Sequence, residues 1–441
     1  MMISSIGRKK PNITDSKDDS LPTPGMFWNS LTSIQKLAIK LFKISITKQL
    51  DISSTNHVII MDSVPTLPFD LITEILSRLP VKFLLKFQCV SKSWNSLISH
   101  DPNFAKKHLT KSTTHSLNSL GFTFPGILTM YPPDFFFNTF VFTNVKQHEH
   151  PSQECNRCLR AKKVVGYCNC IMAKEIVGSC NGILCLAYKE FIQLWNPTIG
   201  KLKELPVLRN PHHLNIAYGF GYDSVTDHYK VVVVLWDHCG DEKTQVKVNT
   251  LGTKLWKNIE EEFPFGSIPD QKSGKCVSGT INWLASSRRW PRPSPHFIVS
   301  LDLRNESYQK VLLPDNVEVN DNSLTLDVSS LCMISGHDVW LMKEYGKKES
   351  WNKLFTISYT HNPRLSYSFS KVVYIFEDGQ VLLQIKMAFV RPQLMIYDPR
   401  IATFKFVTFQ KSFYGSRFFD LDVSKYGGLV VSIESLISPC S

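Results

Sequence analysis

The chain has 441 residues, of which 43% are hydrophobic and 20% are charged, and a formal net charge of +12 at pH 7. The hydrophobic share is that of an ordinary globular protein, and the length is enough for about two or three domains with buried cores. The basic excess is spread along the chain, which disfavours specific nucleic-acid binding, and no apolar run approaches the roughly 18 residues of a membrane-spanning helix.

Residues 1–61 are predicted to form a mostly disordered extension with one amphipathic helix near residues 28–50. The first 25 residues are polar and contain Pro11, Pro22 and Pro24, which is typical of disorder. We expect the helix to dock on the body of the protein through its apolar stripe, with membrane-surface contact or organelle targeting as the alternative. Because the N-terminus lacks the continuous apolar core of a signal peptide, we expect the cytoplasm or the nucleus as its location.

Residues 62–110 are predicted to form three short helices. Pro68 suits the first turn of a helix, Pro80 ends that helix, and Ser91 is placed to open the third one. The first helix has one charged face and one apolar face. A unit of about 45 residues is close to the size at which a domain needs a partner, a metal or a disulfide to remain folded. Its surplus apolar face therefore predicts contact with another protein.

Residues 176–441 are predicted to be all-β, and residues 111–175 to be an irregular connector or a first repeat. Short apolar runs alternate with turn signals such as Asn181-Gly182 and Ser278-Gly279. The run from Val231 to Trp236 has the length of a buried strand.

A repeat runs through this β region. Similar segments place Asn196, Thr250, Asp302 and Asp398 in equivalent positions, with steps of 54, 52 and 96 residues, the last being twice 48. A period near 50 residues built from short strands is typical of a propeller blade, so we predict a kelch-like β-propeller of about six blades. A β-sandwich is the alternative, although it would not require the repeat.

Family resemblance adds to this reading. The segment LPFDLITEILSRLPVKFLLKFQCVSKSWNSLISHDPNFAKKHL, residues 67–109, resembles an F-box from its opening Leu-Pro to its closing Asp-Pro-x-Phe. Downstream, VGSCNGILCL, LWNPTIGKLKELP, YGFGYDSVTDHYKVVVV and VSGTINWLA resemble the F-box-associated domain of the large plant F-box family. The resemblance implies an α+β multidomain protein, with an N-terminal three-helix F-box followed by an all-β propeller.

The same resemblance implies the substrate-recognition subunit of a Skp–cullin–F-box ubiquitin ligase. The F-box would bind a Skp-type adaptor, which links it to a cullin, and the propeller would bind a target protein for ubiquitination. Neither catalysis by this chain nor a cofactor is expected. The implied adaptor contacts, which have packing inside the domain as their alternative, are Leu67, Pro68, Ile72, Ile75, Leu76, Leu79, Leu84, Val90 and Trp94.

Substrate choice is expected to reside in the loops between blade strands, because loops vary freely on a rigid scaffold. Arg288, Arg289, Trp290 and Arg292 lie in one such loop and are residue types common in interface hot spots. The alternative for this loop is a solvated connection between strands.

A cysteine cluster is the main candidate for other chemistry. Cys155, Cys158, Cys168 and Cys170 could bind zinc through four thiolates, but the Cys-x-Cys half and the spacer fit no common zinc framework. The sequence contains no nucleophile elbow, P-loop or HExxH motif. Two alternatives to the ligase subunit stay open: a propeller-type protein-binding module acting outside the ligase, and a metal-dependent propeller enzyme.

Overall fold

The computed structural model of the protein consists of a group of helices followed by a set of β-sheets. The residues that it describes are 68–113, 120–123, 130–131, 175–188, 191–208, 214–237, 244–260, 263–264, 266–287, 296–315, 317, 323–326, 331–357, 367–376, 378–387, 390–407, 413–414, 417–418 and 430–440. The predicted disorder and amphipathic helix of residues 1–61 lie outside this part of the chain. No helix within it is both long enough and apolar enough to cross a membrane.

The helical unit, residues 68–113, has four helices, so the prediction of three is wrong. They are α1 (Phe69–Leu76), α2 (Val81–Phe87), α3 (Lys92–His100) and α4 (Pro102–Thr113). The additional helix is α4, and Pro102 suits its first position because a helix leaves that N–H unpaired in any case. The Asp101 carboxylate accepts hydrogen bonds from the backbone N–H groups of Asn103 and Phe104 at 2.8 and 3.1 Å, which caps the helix.

The other three helices begin where the sequence predicts. Pro68 and Pro80 directly precede α1 and α2. The Ser91 side chain caps α3 by accepting a hydrogen bond from the backbone N–H of Trp94 at 3.2 Å.

A small apolar core holds the helical unit together. Phe87 contacts the half-buried Trp94, with ring centroids 5.8 Å apart. The large side chains that are almost fully buried are Leu76, Leu79, Leu84, Phe87, Ile98 and Phe104. So few buried residues give a small hydrophobic stabilisation, as the length of the unit predicts.

The rest of the described chain forms a β-propeller of five blades. The strands β1 (Leu120–Thr123) and β2 (Met130–Tyr131) come before the blades. Each blade is one antiparallel sheet of four or five strands. These strands are β3 (Glu175–Cys180), β4 (Ile183–Ala187), β5 (Ile192–Asn196) and β6 (Lys201–Glu204) in blade 1; β7 (Asn215–Asp223), β8 (His228–Trp236), β9 (Gln245–Thr250) and β10 (Lys257–Ile259) in blade 2; β11 (Ser267–Pro269), β12 (Lys275–Val277), β13 (Thr280–Ser287), β14 (His296–Asp302) and β15 (Tyr308–Val311) in blade 3; β16 (Ser323–Leu326), β17 (Leu331–Ser335), β18 (Asp338–Met342) and β19 (Trp351–Thr356) in blade 4; and β20 (Tyr367–Ile375), β21 (Val381–Met387), β22 (Val390–Asp398) and β23 (Thr403–Val407) in blade 5.

The repeat has a local physical cause. Asn196, Thr250, Asp302 and Asp398 end the equivalent strands β5, β9, β14 and β22. In three of them the side-chain oxygen accepts the backbone N–H two residues later, at 2.9 Å for Asn196, 2.7 Å for Asp302 and 3.0 Å for Asp398. Such a hydrogen bond starts a tight turn, so the same residue type recurs at the same place in successive blades.

Three strands outside the blades complete the β-structure: β24 (Phe413–Tyr414), β25 (Arg417–Phe418) and β26 (Val430–Ile433). The first two pair with each other. In the closing sheet, which we define as β2, β1 and β26, β1 pairs with β26 so that Leu120 lies opposite Ile433. The prediction of about six blades is therefore wrong, because this three-stranded sheet draws on two distant segments and the described residues form five blades.

The innermost strands follow one another around a ring, which rules out the sandwich alternative. β3 contacts β7, β7 contacts β12, β12 contacts β16, and β16 contacts β20. β26 then contacts β20 on one side and β3 on the other, so the closing sheet joins blade 5 to blade 1.

One face of the propeller carries the turns that follow the innermost strands of blades 1, 2 and 3, and we call it the turn face. At the Asn181-Gly182 turn, Gly182 has φ +81°, and a Cβ on it would lie 2.3 Å from Ser435 Oγ. Only glycine fits there, because the conformation and the close approach both exclude a side chain.

Candidate functional site

The exposed apolar surface of α1 is the first candidate for partner binding. Phe69 is 46% exposed and Leu71 is 52% exposed, and the preceding Pro68 is exposed as well. Within the described chain, no other two exposed large apolar side chains are so close in sequence. Apolar side chains that are exposed together favour a protein-binding surface.

The structure separates the predicted adaptor-binding residues into three groups. Ile72, Ile75 and Trp94 are half-buried and pack against the core. Leu67 lies outside the described residues, and Pro68 is exposed. The buried group, which forms the internal core, is Leu76, Leu79, Leu84 and Val90. Adaptor contact by any of these residues stays a prediction.

Sequence reasoning missed Phe69 and Leu71. A helical wheel orders residues around one helix axis, but the first turn of α1 stays uncovered because of how the other helices pack. The only signal in the sequence was the large apolar residue on either side of Asp70, at the start of a short helix.

A charged cluster on Glu74 connects α1 to α4. The carboxylate is 2.8 Å from Arg78 Nη2 and 2.9 Å from Lys107 Nζ, and it also pairs with Lys111. Hydrogen bonds from Lys111, Lys107 and Arg78 lower the pKa of Glu74 to about 2. The carboxylate is therefore ionised at physiological pH and holds the last helix of the unit against the first.

A buried histidine lies on the inner side of the same contact. His108 Nε2 is 2.7 Å from the carbonyl oxygen of Leu79, and Nδ1 is buried with no hydrogen-bond partner among the described residues. Burial lowers the pKa of His108. The neutral imidazole with its proton on Nε2 fits this site, since the Leu79 carbonyl can only accept.

α4 also connects the helical unit to the turn face of blade 2. Lys106 pairs with Asp227 in the turn between β7 and β8, and the Tyr222 hydroxyl donates to the same carboxylate. These two partners lower the pKa of Asp227. Apolar side chains of the helical unit and of blades 1 and 2 also belong to one continuous buried cluster. The helical unit is therefore seated on the propeller.

The segment after β26 contributes to the same buried cluster. Leu436 and Ile437 are buried within it. Asn196 Nδ2 donates to the carbonyl oxygens of Ser435 and Ile437 at 3.0 and 2.7 Å. These hydrogen bonds connect the segment to the turn face of blade 1.

A cavity of about 320 Å³ lies at the opposite end of the β7–β8 hairpin. Asn215 and Trp236, which pair across the two strands, contribute to its wall, whereas Asp227 lies at the far turn. β7 has nine residues, so the cavity and that turn are about 25–30 Å apart. The lining residues come from blades 2 and 3: Leu214, Asn215, Ile216, Trp236, Pro269, Asp270, Gln271 and Lys272.

The two other predicted sites lie outside the described residues. Arg288, Arg289, Trp290 and Arg292 fall between Ser287, the last residue of β13, and His296, the first residue of β14. Asp270 accepts a hydrogen bond from Ser286 at 2.6 Å and lies 3.6 Å from His296 Nε2. The cysteines Cys155, Cys158, Cys168 and Cys170 also fall outside. Within the described ranges, no group of three His, Cys, Asp or Glu side chains is placed to hold a metal ion.

Comparisons with known proteins agree with this arrangement. The model of the F-box domain matches residues 65–106, and the model of the F-box associated beta propeller domain matches residues 133–426. An F-box/kelch-repeat protein of Arabidopsis thaliana is 30% identical over 351 residues, which are 74% of this chain and 87% of the relative. Another F-box protein of the same plant is 26% identical over 396 residues, covering 78% of this chain and 88% of the relative.

Similarity to solved structures is weaker. TolB from Acinetobacter baumannii is 12% identical, with a TM-score of 0.32 over 52% of this chain and 54% of that one. No functional argument rests on this likeness.

Proposed function

Because this chain belongs to the plant F-box proteins with an F-box-associated β-propeller, we propose that it is the substrate-recognition subunit of a Skp–cullin–F-box ubiquitin ligase. In this proposal the helical unit binds a Skp-type adaptor, the adaptor links it to a cullin, and the propeller binds a target protein.

The exposed pair Phe69 and Leu71 carries the proposal. Both residues lie inside the segment that matches the F-box domain. Fully burying a side chain of this size against a partner contributes about 1.5–3 kcal/mol. The half-buried Ile72, Ile75 and Trp94 can extend the contact, and the buried predicted residues would support its shape from inside. Leu67 immediately precedes this surface in the chain.

The chain is proposed to be non-catalytic. A receptor that holds a target beside a ubiquitin-loaded partner raises the effective concentration of the two reactants, and this requires no reactive group in the receptor itself. A metal-dependent propeller enzyme would need a set of convergent ligands, and the described residues offer no support for that alternative.

Target binding is proposed for the face opposite the turn face. The helical unit occupies the turn face through Lys106 and Asp227, whereas the cavity between blades 2 and 3 lies at the other end of the same hairpin. Ser286 and His296, which flank the segment with Arg288, Arg289, Trp290 and Arg292 in the sequence, lie next to Asp270 in the wall of this cavity. Adaptor and target would then bind about 25–30 Å or more apart, so neither blocks the other.

Domain limits and location complete the proposal. We place an extension at 1–61, the F-box at 62–110, an irregular connector or first blade at 111–175 and the propeller domain at 176–441. The expected location is the cytoplasm or the nucleus.

Co-purification of the full chain with a Skp-type adaptor tests the adaptor interface. The intact chain should form a one-to-one complex, and the double variant Phe69→Asp, Leu71→Asp should lose at least about 100-fold in affinity, which corresponds to about 2.7 kcal/mol. Ile401→Asp is the matched control, because Ile401 is 65% exposed but lies in a turn of blade 5. This control should bind like the intact chain.

Failure of the intact chain to bind, with its helices folded by circular dichroism, would reject the ligase proposal. The propeller would then be studied as a protein-binding module that acts outside the ligase. Equal loss of binding in the double variant and in Ile401→Asp would reject α1 as the interface.

A further inference from the structure

The cavity between blades 2 and 3 has one wall whose backbone is fixed at both ends. This wall is the segment from Asp270 to Lys272, which lies between β11 and β12. The backbone N–H of Asp270 donates to the carbonyl oxygen of Leu284 in β13 at 2.9 Å. The carbonyl oxygen of Lys272 accepts from the backbone N–H of Tyr218 in β7 at 2.7 Å. Because the segment is bonded to both blades, its side chains start from fixed positions.

The Asp270 carboxylate is held in this wall by two side chains of blade 3. Ser286 Oγ donates to Oδ1 of Asp270 at 2.6 Å, and His296 Nε2 lies 3.6 Å from Oδ2. Only 27% of the Asp270 side chain is exposed. The two oxygens of a carboxylate offer about four lone-pair sites, so they can accept hydrogen bonds from a ligand as well as from Ser286. The wall therefore presents a negative charge in a fixed position.

Most of the remaining lining is apolar. Trp236, at the end of β8, is half-buried, and Leu214, Ile216 and Pro269 complete the apolar lining. The volume of about 320 Å³ lies at the low end of the range of about 300–1,000 Å³ for ligand pockets, so one long side chain would fill much of it. An aromatic and apolar lining beside a fixed carboxylate fits a side chain with an apolar stem and a cationic end.

Lys272 brings the opposite charge to the same wall. This residue is exposed, and its long flexible stem lets the ammonium group extend into water. The shorter Asp270 side chain, in contrast, is held by Ser286 and cannot turn away in the same manner. The fixed charge that a ligand meets inside the cavity is therefore the negative one.

We propose that this cavity binds an arginine side chain of the target protein. The planar guanidinium donates hydrogen bonds to the Asp270 carboxylate, and its flat face and methylene stem pack on the Trp236 indole. Arginine fits better than lysine, because an ammonium group is more strongly hydrated and lacks the planar set of donors that matches a carboxylate. This inference rests on the proposed function, since it names the residue type by which the propeller would recognise its target.

Photo-crosslinking of the full chain with short peptides tests the proposal. The probe is the acetylated and amidated peptide Gly-Arg-photoleucine-Gly, and two matched probes carry norleucine or glutamate in place of arginine. After irradiation and digestion, mass spectrometry measures the crosslink yield on peptides that contain residues 214–216, 236 or 269–272. We expect at least about a tenfold higher yield with the arginine probe than with either matched probe, because hydrogen bonds between charged groups are strong.

Variants of the two charged residues test the sign of the recognised charge. Asp270→Asn keeps an oxygen for Ser286 but removes the charge, so the yield with the arginine probe should fall about tenfold. Lys272→Gln removes a repelling charge and should leave this yield unchanged or raise it. Asp315→Asn is the matched control, because Asp315 is an exposed acid that pairs with Lys348 outside the cavity lining. This control should crosslink like the wild type.

Equal yields from the arginine and glutamate probes on the wild type, or no crosslink at the lining residues, would overturn the proposal, and neither result needs a variant to fold. A higher yield from the glutamate probe that Lys272→Gln abolishes would also overturn it, in favour of an acidic side chain. Co-purification with the adaptor is a separate result. A chain that binds the adaptor but does not prefer the arginine probe would contradict this inference and leave the proposed function standing.

Discussion

The helical unit and the propeller bury their apolar side chains in different ways. In the helical unit, α1 has one buried residue, Leu76, and leaves Phe69 and Leu71 exposed. In the propeller, all five residues of β4 and all five of β17 are buried. A helix on a small unit buries one stripe, whereas a central blade strand is covered on both faces by the neighbouring blades. The comparison indicates a propeller with its own sufficient core and a helical unit that depends on contacts with other surfaces.

Trp283→Ala, in the core of the propeller, should lower the free energy of unfolding more than any of the other substitutions below. Trp283 is fully buried in β13, its Nε1 donates to the carbonyl oxygen of Tyr218 at 3.0 Å, and Phe263 packs edge-on at 5.9 Å. We expect a loss of about 3–5 kcal/mol in the free energy of unfolding, because a large cavity opens in the core. Urea denaturation followed by fluorescence measures this loss.

Trp94→Ala is the corresponding change in the helical unit. Because Trp94 is only half-buried there, its removal should cost less, about 1–2 kcal/mol. A loss as large as that of Trp283→Ala would contradict the difference between the two cores.

Gly182→Ala should lower the free energy of unfolding by an intermediate amount. It tests the contact between blade 1 and the segment after β26. The positive φ and the approach of Ser435 Oγ to 2.3 Å from the added Cβ both oppose a side chain, so we expect a loss of about 2–3 kcal/mol by thermal or urea denaturation. Gly279→Ala is the control, with φ +79° but no atom within 4 Å of its Cβ. It should cost only about 1 kcal/mol, and an equal loss in both variants would show that the Ser435 contact contributes nothing.

Glu74→Gln should lower the free energy of unfolding least. It tests the charged cluster on Glu74 that connects α1 to α4. More than a third of the Glu74 side chain is exposed, so screening limits the expected loss at pH 7 to about 1 kcal/mol. The pKa of Glu74 is lowered to about 2 in the folded state, against about 4.3 in an unfolded chain. The stabilisation should therefore be complete above about pH 4.3 and disappear as the pH falls towards 2.

The measurement is urea denaturation of the wild type and of Glu74→Gln across this pH range, followed by the helical circular-dichroism signal. It gives the difference between the two proteins in the free energy of unfolding at each pH. Glu344→Gln is the control, because Glu344 pairs with Lys347 at 2.5 Å on an exposed part of the propeller. It should change stability by less than about 0.5 kcal/mol. A difference for Glu74→Gln that persists at pH 2 would exclude the carboxylate charge as its cause.

Much of the fold could be predicted from local sequence. Proline fixes φ and lacks an N–H, so Pro68 and Pro80 mark the starts of α1 and α2. Asn181-Gly182 and Ser278-Gly279 form the predicted turns, with positive φ at all four residues. The number of blades could not be read from local sequence. β1 and β26 pair with each other although the five blades lie between them in the chain, and neither segment repeats a blade pattern.

Less of the candidate site could be predicted. The apolar pattern of α1 predicted a binding face, but the burial of Leu76 and Leu79 and the exposure of Phe69 and Leu71 depend on the packing of four helices. Neither helical periodicity nor residue spacing carries such information.

The closing sheet imposes an order on the synthesis of this protein. The helical unit is complete once residue 113 has been made, whereas the ring needs β26, which ends at Ile433. At about 5–20 residues per second, a ribosome takes roughly 15–60 s to cover that interval. A nascent chain, or one cut short before Val430, would carry an intact F-box on an open propeller. Under the proposed function, such a chain would compete for the adaptor without a complete surface to present a target.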